Sequence, residues 1–144
     1  MKKGIIILFS EDEKIIDKNQ FINLFNQTEI KLCFVNNGSK DNTLTILESI
    51  KEDLGLSRIS VLDVKIDKGI NAAIKAGARY LLSSGDLKWI MHLKSNMLPY
   101  FEDIENQLSV LKKVEEKFKD NLPKAKNRRR AKNIFSYKEF LTFK

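Results

Sequence analysis

The run "GIIILF" at residues 4–9 does most to narrow what this chain can fold into. A half-exposed strand alternates apolar and polar side chains. A strand with no polar position needs cover on both faces, and that is the situation of a parallel sheet packed between helices. The rest of the chain follows suit. Residues 12–26 carry Ile15, Ile16, Phe21, Ile22 and Phe25 at passable helical spacing, and "IKLCFV" (30–35) reads as a second strand. After Asn-Asn-Gly-Ser, with Ser39 or Asp41 as candidate cap, comes a helix with Leu44, Leu47, Ile50 and Leu54 on one side and Gly55 as its stop. "ISVLDVK" (59–65) alternates like a strand, and "DKG" (67–69) opens a helix through Ile70, Ala73, Ile74, Gly77 and Leu81. "KWIMHL" (88–93) is a fourth strand, Leu98-Pro99 forces a turn or extended backbone, and residues 100–118 form an amphipathic helix through Phe101, Ile104, Leu108, Leu111 and Phe118.

Four strands with helices between them predict an α/β fold, a Rossmann-like parallel sheet with right-handed connections. In such sheets ligands bind beyond the carboxyl ends of the strands. The stretches "FSEDE", "NNGSKD", "KIDKG" and "LKSNMLP" each fall at such an end.

At 144 residues, 42% hydrophobic and 31% charged, the chain has the size and composition of one ordinary globular domain. The apolar start is too short for the core of a signal peptide and far too short to span a bilayer. With a single cysteine, Cys33, no intrachain disulfide can form, and a cytoplasmic location is expected, with attachment at the inner membrane face as a second option. Cys33 lies inside a strand run and reads as a buried packing residue. One Cys and one His cannot supply a tetrahedral zinc site. The charge of +7 is not spread evenly: residues 1–118 hold 17 of each sign, and residues 119–144 hold nine basic against two acidic, which is the whole excess. The expected organisation is a neutral body, 1–118, and a basic, aromatic-rich extension, 119–144.

The corner "FVNNGSKDNTLTILESI" resembles the "VDDGSxDxT" corner of glycosyltransferase family 2. "KGINAAIKAGARYLLSSGDLKWIMHLKSNMLP" is similar to the family's next block: a Gly-containing loop, a small-residue helix, then a strand that ends in Asp-x-Asp and is followed by Pro. The likeness runs over about residues 4–110 and keeps the order of the blocks. It implies the nucleotide-binding half of a GT-A fold, and transfer of a sugar from a nucleoside diphosphate sugar of UDP or GDP type, as in cell-surface glycan synthesis. It also implies a magnesium or manganese ion on the pyrophosphate, where the cation neutralises charge on the leaving diphosphate. By position, the resemblance places Ser10 and Glu13 of "SEDE" against the nucleotide. It places Asn36 and Asn37, with Gly38, where the family reads base and ribose through acidic residues. Lys68 and Gly69 fall in its pyrophosphate-side loop, and Lys94, Ser95 and Asn96 fall on the metal motif.

There the chain departs from the family. A hard cation wants anionic oxygens; Asn96 offers a neutral carbonyl and Lys94 repels a cation. No metal cofactor and little metal-dependent turnover by this chain alone are expected. The family's catalytic base and acceptor region have no counterpart to carry over, so no catalytic residue is assigned. The amides at 36 and 37 are more forgiving, because an amide oxygen still accepts from a base N–H or a ribose hydroxyl. Plain alternatives stand beside each reading. Asn-Gly-Ser is a good turn without any ligand, Lys94 can be a solvated strand end, and His92 reads as a strand residue rather than a general base. The sharper reading of Lys94 is an ammonium standing in for the cation beside a diphosphate.

The extension joins a Pro-containing linker, Arg128-Arg129-Arg130 and an aromatic end in which Phe135, Tyr137, Leu141 and Phe143 alternate like a strand while Ile134, Tyr137 and Leu141 share a helix face. Four readings fit: a solvated tail, a contact with an anionic membrane surface, a contact with a nucleic-acid backbone, or packing back on the domain or a second subunit. Packing back is preferred among the functional three. The second function class is thus a non-catalytic interaction module that works through this tail.

Overall fold

The apolar run forms β1 (Lys3–Phe9), in which every residue from Gly4 to Phe9 is buried. The computed structural model describes residues 3–10, 16, 17, 19, 30–54, 59–83, 87, 89–96 and 134–137. Within them follow β2 (Lys31–Asn37), α1 (Thr43–Leu54), β3 (Ile59–Val64), α2 (Ile70–Ser83), β4 (Trp89–Lys94) and β5 (Ile134–Ser136). The expected helices over 12–26 and 100–118 lie almost wholly, or wholly, outside the described residues. Among those described, no helix is long and apolar enough to cross a membrane.

The sheet is parallel throughout, in the order β3-β2-β1-β4-β5. The expectation of four strands is corrected to five, because residues of the basic extension pair with β4: Ile90 opposite Ile134, Met91 opposite Phe135 and His92 opposite Ser136. Tyr137, directly after β5, is 2% exposed. Of the readings offered for the tail, packing back on the domain describes this segment.

Residues paired across parallel strands share a face of the sheet, so the register sorts the core into two halves. On one face Ile6, Leu8, Cys33, Val35 and Ile90 cluster with Ala73, Ala78 and Leu81 of α2 and with Leu87. The chain steps outward from β2 to β3 and then back across to β4. Right-handed connections therefore put α1 and α2 on opposite faces. The other face holds Ile5, Ile7, Leu32 and Phe34, all fully buried, and Phe9 meets Phe34 edge to face at 5.8 Å and 80°. Full burial of each such side chain stabilises by about 1.5–3 kcal/mol. Cys33 is one of the packing residues, and burial pushes its thiol up to about 12, which leaves it unreactive.

One boundary differs from expectation. β2 runs two residues past "IKLCFV", so both Asn36 and Asn37 belong to the strand, paired with Asp63 and Val64 of β3. Asp41 does cap α1, although the helix carbonyl count starts at Asn42: the Asp41 carboxylate accepts the N–H and the hydroxyl of Thr43, and Asn42 O accepts from Ile46 N. Ile70, expected on the packed side of its helix, is 43% exposed and lines a cleft instead of the core.

α2 lies close to β1 and β2 because Gly77 has no side chain. A Cβ there would sit 3.1 Å from both Cδ1 and Cγ2 of Ile6 and 3.2 Å from Cγ2 of Val35. Overpacking of this kind costs about 1–3 kcal/mol. Gly77→Leu is therefore expected to lower the urea midpoint by that amount with the slope unchanged, whereas Lys75→Ala, on the exposed side of the same helix, stays within about 0.5 kcal/mol of the parent.

Candidate functional site

Parallel strands deliver all their carboxyl ends to one rim, and the loops that leave them meet there. A cleft of about 270 Å³ is walled by Leu8, Phe9 and Ser10 from β1, Asn37 from β2, Asp67 and Ile70 at the start of α2, and Lys94, Ser95 and Asn96 from β4 onward. Of the residues singled out in the sequence, Ser10, Asn37, Lys94 and Asn96 line it together. Lys68 and Gly69 are exposed and line neither this cleft nor the one described below. Glu13, with Asp12, lies outside the described residues.

Asn36 and Asn37, neighbours in sequence, do not act as a pair. Successive strand residues face opposite ways. Asn37 shares the α2 face with Leu8 and lines the cleft, while Asn36 is on the other face with Asp63. Each is bound to a carboxylate: Asn36 Nδ2 donates to Asp63 Oδ1 at 3.0 Å, and Asn37 Nδ2 donates to Asp67 Oδ1 at 3.2 Å. A carboxylate only accepts, so both amides must present their NH2 to it, which fixes the direction of their oxygens. Those oxygens are buried and have no hydrogen-bond partner among the described residues. An orphaned acceptor costs about 1–3 kcal/mol, and here there is one on each face of the sheet.

Asp67 is the site residue that the sequence reading passed over. Besides Asn37, its Oδ1 accepts the N–H of Gly69 at 2.7 Å, and Gly69 O in turn accepts from Ala73 N as the first bond of α2. The signal was there: an Asp two residues before a Gly at a helix start favours such a local bond. What could not be seen was the amide arriving from 30 residues away. Gly38 completes the junction. It has φ 68, donates its N–H to Val64 O at 2.7 Å, and would bring a Cβ within 2.9 Å of the Asp67 nitrogen. Only glycine permits both the left-handed turn and that approach.

A second cleft, of about 260 Å³, shares Leu8, Ile70, Lys94 and Asn96 with the first and adds His92, Leu93, Ser136 and Tyr137. His92 is a strand residue, as expected, and half-buried.

The side chains at the three positions of the family's metal motif are an exposed ammonium, a buried hydroxyl and an exposed amide. That donor set does not suit magnesium or manganese, which take anionic oxygens. Among the described residues no three His, Cys, Asp or Glu side chains converge. The cleft nonetheless has polarity. Asp67 and Asn37 lie at the β2 side and Lys94 at the β4 side, with β1 between, so the two ends are about 10 Å apart by strand spacing.

A family model described as glycosyl transferase family 2 matches residues 5–133. The chain belongs to that family. Its parallel sheet is the nucleotide-binding half of the GT-A fold that membership implies. Two crystal structures of S. aureus TarS are similar to it in fold. One has TM-score 0.46 and 19% identity over 66% of this chain and 16% of that one. The other, of TarS 1-349, has TM-score 0.49 and 17% identity over 76% and 32%. This chain thus spans less than a third of the length of either. No curated protein matches it.

The Asn–Asp pairs carry a test. Asn36→Asp restores the carboxylate that family 2 places in this corner, yet here it faces Asp63 across a hydrogen-bond distance. Like charge raises the folded pKa of the introduced acid above its unfolded value of about 3.9. Below that value the neutral carboxyl can still donate to Asp63. The variant is expected to match the parent in urea denaturation near about pH 4 and to fall short by about 1–3 kcal/mol at pH 7.

Proposed function

We propose that this glycosyltransferase family 2 domain recognises a nucleoside diphosphate sugar without a metal ion, with the Lys94 ammonium on the pyrophosphate where the family uses a divalent cation. The observation that carries this reading is the single cleft that joins Ser10, Asn37 and Asp67 to Lys94 and Asn96. The Asp67 end can accept hydrogen bonds from a base or a ribose, and Ser10 adds a hydroxyl that both donates and accepts. The Lys94 end meets anionic oxygen as a mobile point charge. Family membership supports a nucleotide sugar as the ligand, and the setting we infer is glycan synthesis. Donor recognition, rather than self-sufficient metal-dependent transfer, is the activity we assign to this chain.

Calorimetry of UDP and GDP, each with and without manganese, tests the reading. One of the two is expected to bind with an affinity that manganese does not change, and Lys94→Ala is expected to weaken it by about tenfold, the effect of losing one solvent-exposed charge-assisted contact. Lys94→Asp combined with Asn96→Asp is expected to make binding manganese-dependent. Parent binding that requires manganese, or a Lys94→Ala variant as tight as the parent, overturns the metal-free reading. No binding of either nucleotide overturns the recognition itself and leaves an interaction scaffold.

A further inference from the structure

We infer that the loop before α2 and the outer face of that helix attach this domain to the surface of an anionic phospholipid bilayer. The inference does not depend on the nucleotide reading, and its test uses no nucleotide.

Apolar exposure is the first observation. Of the large apolar side chains exposed among the described residues, three fall between residues 66 and 80: Ile66 at 69%, Ile70 at 43% and Tyr80 at 43%. Ile70 is accounted for as a wall of both clefts. Ile66 and Tyr80 line neither cleft.

The charge interleaved with them is of one sign. Lys65, Lys68, Lys75 and Arg79 are all exposed, and α2 contains no Asp or Glu. The one acid between residues 65 and 83 is Asp67, whose carboxylate already accepts from the Asn37 amide and the Gly69 N–H. Asp63 lies on the other face of the sheet, beside Asn36. Lys75 and Arg79 are one helical turn apart, on the side of α2 away from the buried Ala73, Gly77 and Leu81. Local helix stability would not choose this layout. Like charges four residues apart repel, and Lys68 stands at the positive end of the helix dipole, while the last turn of α2 carries no base. An anionic partner complements these cations where the helix itself does not.

The apolar residues decide which anion. A phosphate backbone of nucleic acid meets Lys and Arg, but it offers nothing to an exposed isoleucine. A bilayer surface takes both kinds of side chain. Its acidic headgroups attract the cations, Ile66 enters the boundary between headgroups and acyl chains, and Tyr80 has the amphipathic ring favoured at that depth. Asp67 and Ile70 come from the same stretch and wall the first cleft, so attachment here sets that cleft beside the headgroups.

Sedimentation of the full chain with vesicles of phosphatidylcholine, alone or mixed with phosphatidylglycerol, tests the inference. The parent is expected to bind the mixed vesicles at least about tenfold more tightly than the neutral ones, and to lose that preference as salt is raised. Lys75→Ser combined with Arg79→Ser is expected to weaken binding to mixed vesicles by about thirtyfold, roughly fivefold per cation. Ile66→Ser is expected to weaken it by about tenfold. Thermal denaturation checks that the variants fold, and Ile66→Ser decides should the double variant not. Arg128→Ser, Arg129→Ser and Arg130→Ser together, in the basic extension, are expected to weaken binding less than the α2 pair does. A parent that binds neither vesicle, or both equally, overturns the inference. So do folded α2 and Ile66 variants that bind like the parent, and a loss that follows only the arginines of the extension. A parent that binds a DNA duplex but not the mixed vesicles overturns it in favour of a nucleic-acid backbone. None of these outcomes bears on nucleotide recognition in the cleft.

Discussion

Parity along three parallel strands is the constraint on which the site depends. Leu8 of β1 pairs with Val35 on one side and with Lys94 on the other. Partners share a face, and residues two apart on a strand share it again, so Asn37 and Lys94 must both lie above the α2 side of the sheet. A slip of one residue in either pairing would turn one of them to the opposite face and separate the two ends of the cleft. Such a slip is strongly opposed, because it would also turn the buried sets Ile6–Leu8 and Cys33–Val35 out of the cluster under α2. The apolar run that opens the chain thus fixes both the fold and the relative position of two polar residues more than 50 positions apart.

The same parity explains what sequence reasoning could and could not see. The strands, the α2 helix and the convergence of four loops on one rim were legible because periodicity and the topology of parallel sheets are local or general properties. Asn36 and Asn37 were not legible as separate, since whether two adjacent residues sit in a turn or at a strand end decides whether they act together. Their partners were harder still. Asp63 and Asp67 lie 27 and 30 residues beyond the amides they hold, and no pattern in a single sequence links such positions. β5 has three residues and pairs only at the edge of the sheet, where the alternation of "IFSY" equally suited a helix face. Its placement was decided by tertiary contact rather than by propensity.

The corner still holds carboxylates, placed beside its amides rather than on β2. Where the family pattern has acids on β2, this chain has amides on β2 and acids on β3 and on the loop before α2, joined by hydrogen bonds. Acids at both places would repel, and amides at both would leave the loop around Asp67 without its anchor to β2. One acid and one amide per pair is the combination that holds, which links the identity of residues 36 and 37 to that of 63 and 67.

A similar exchange at the other end of the cleft separates binding from turnover. A divalent cation carries twice the charge of an ammonium and coordinates phosphate oxygen at about 2.0–2.1 Å in the case of magnesium. An ammonium on an exposed side chain meets the same oxygen at hydrogen-bond distance, in surroundings where a pair of unit charges about 4 Å apart is worth only about 1 kcal/mol. Lys94 can therefore hold a resting diphosphate at modest energetic gain. The charge that grows on that diphosphate as a sugar departs needs a larger increment of stabilisation in the transition state than in the ground state. A single flexible, solvated ammonium supplies little of that difference. On the nucleotide reading proposed above, the residues at 94–96 would weaken stabilisation of the departing diphosphate more than they weaken ground-state binding of it.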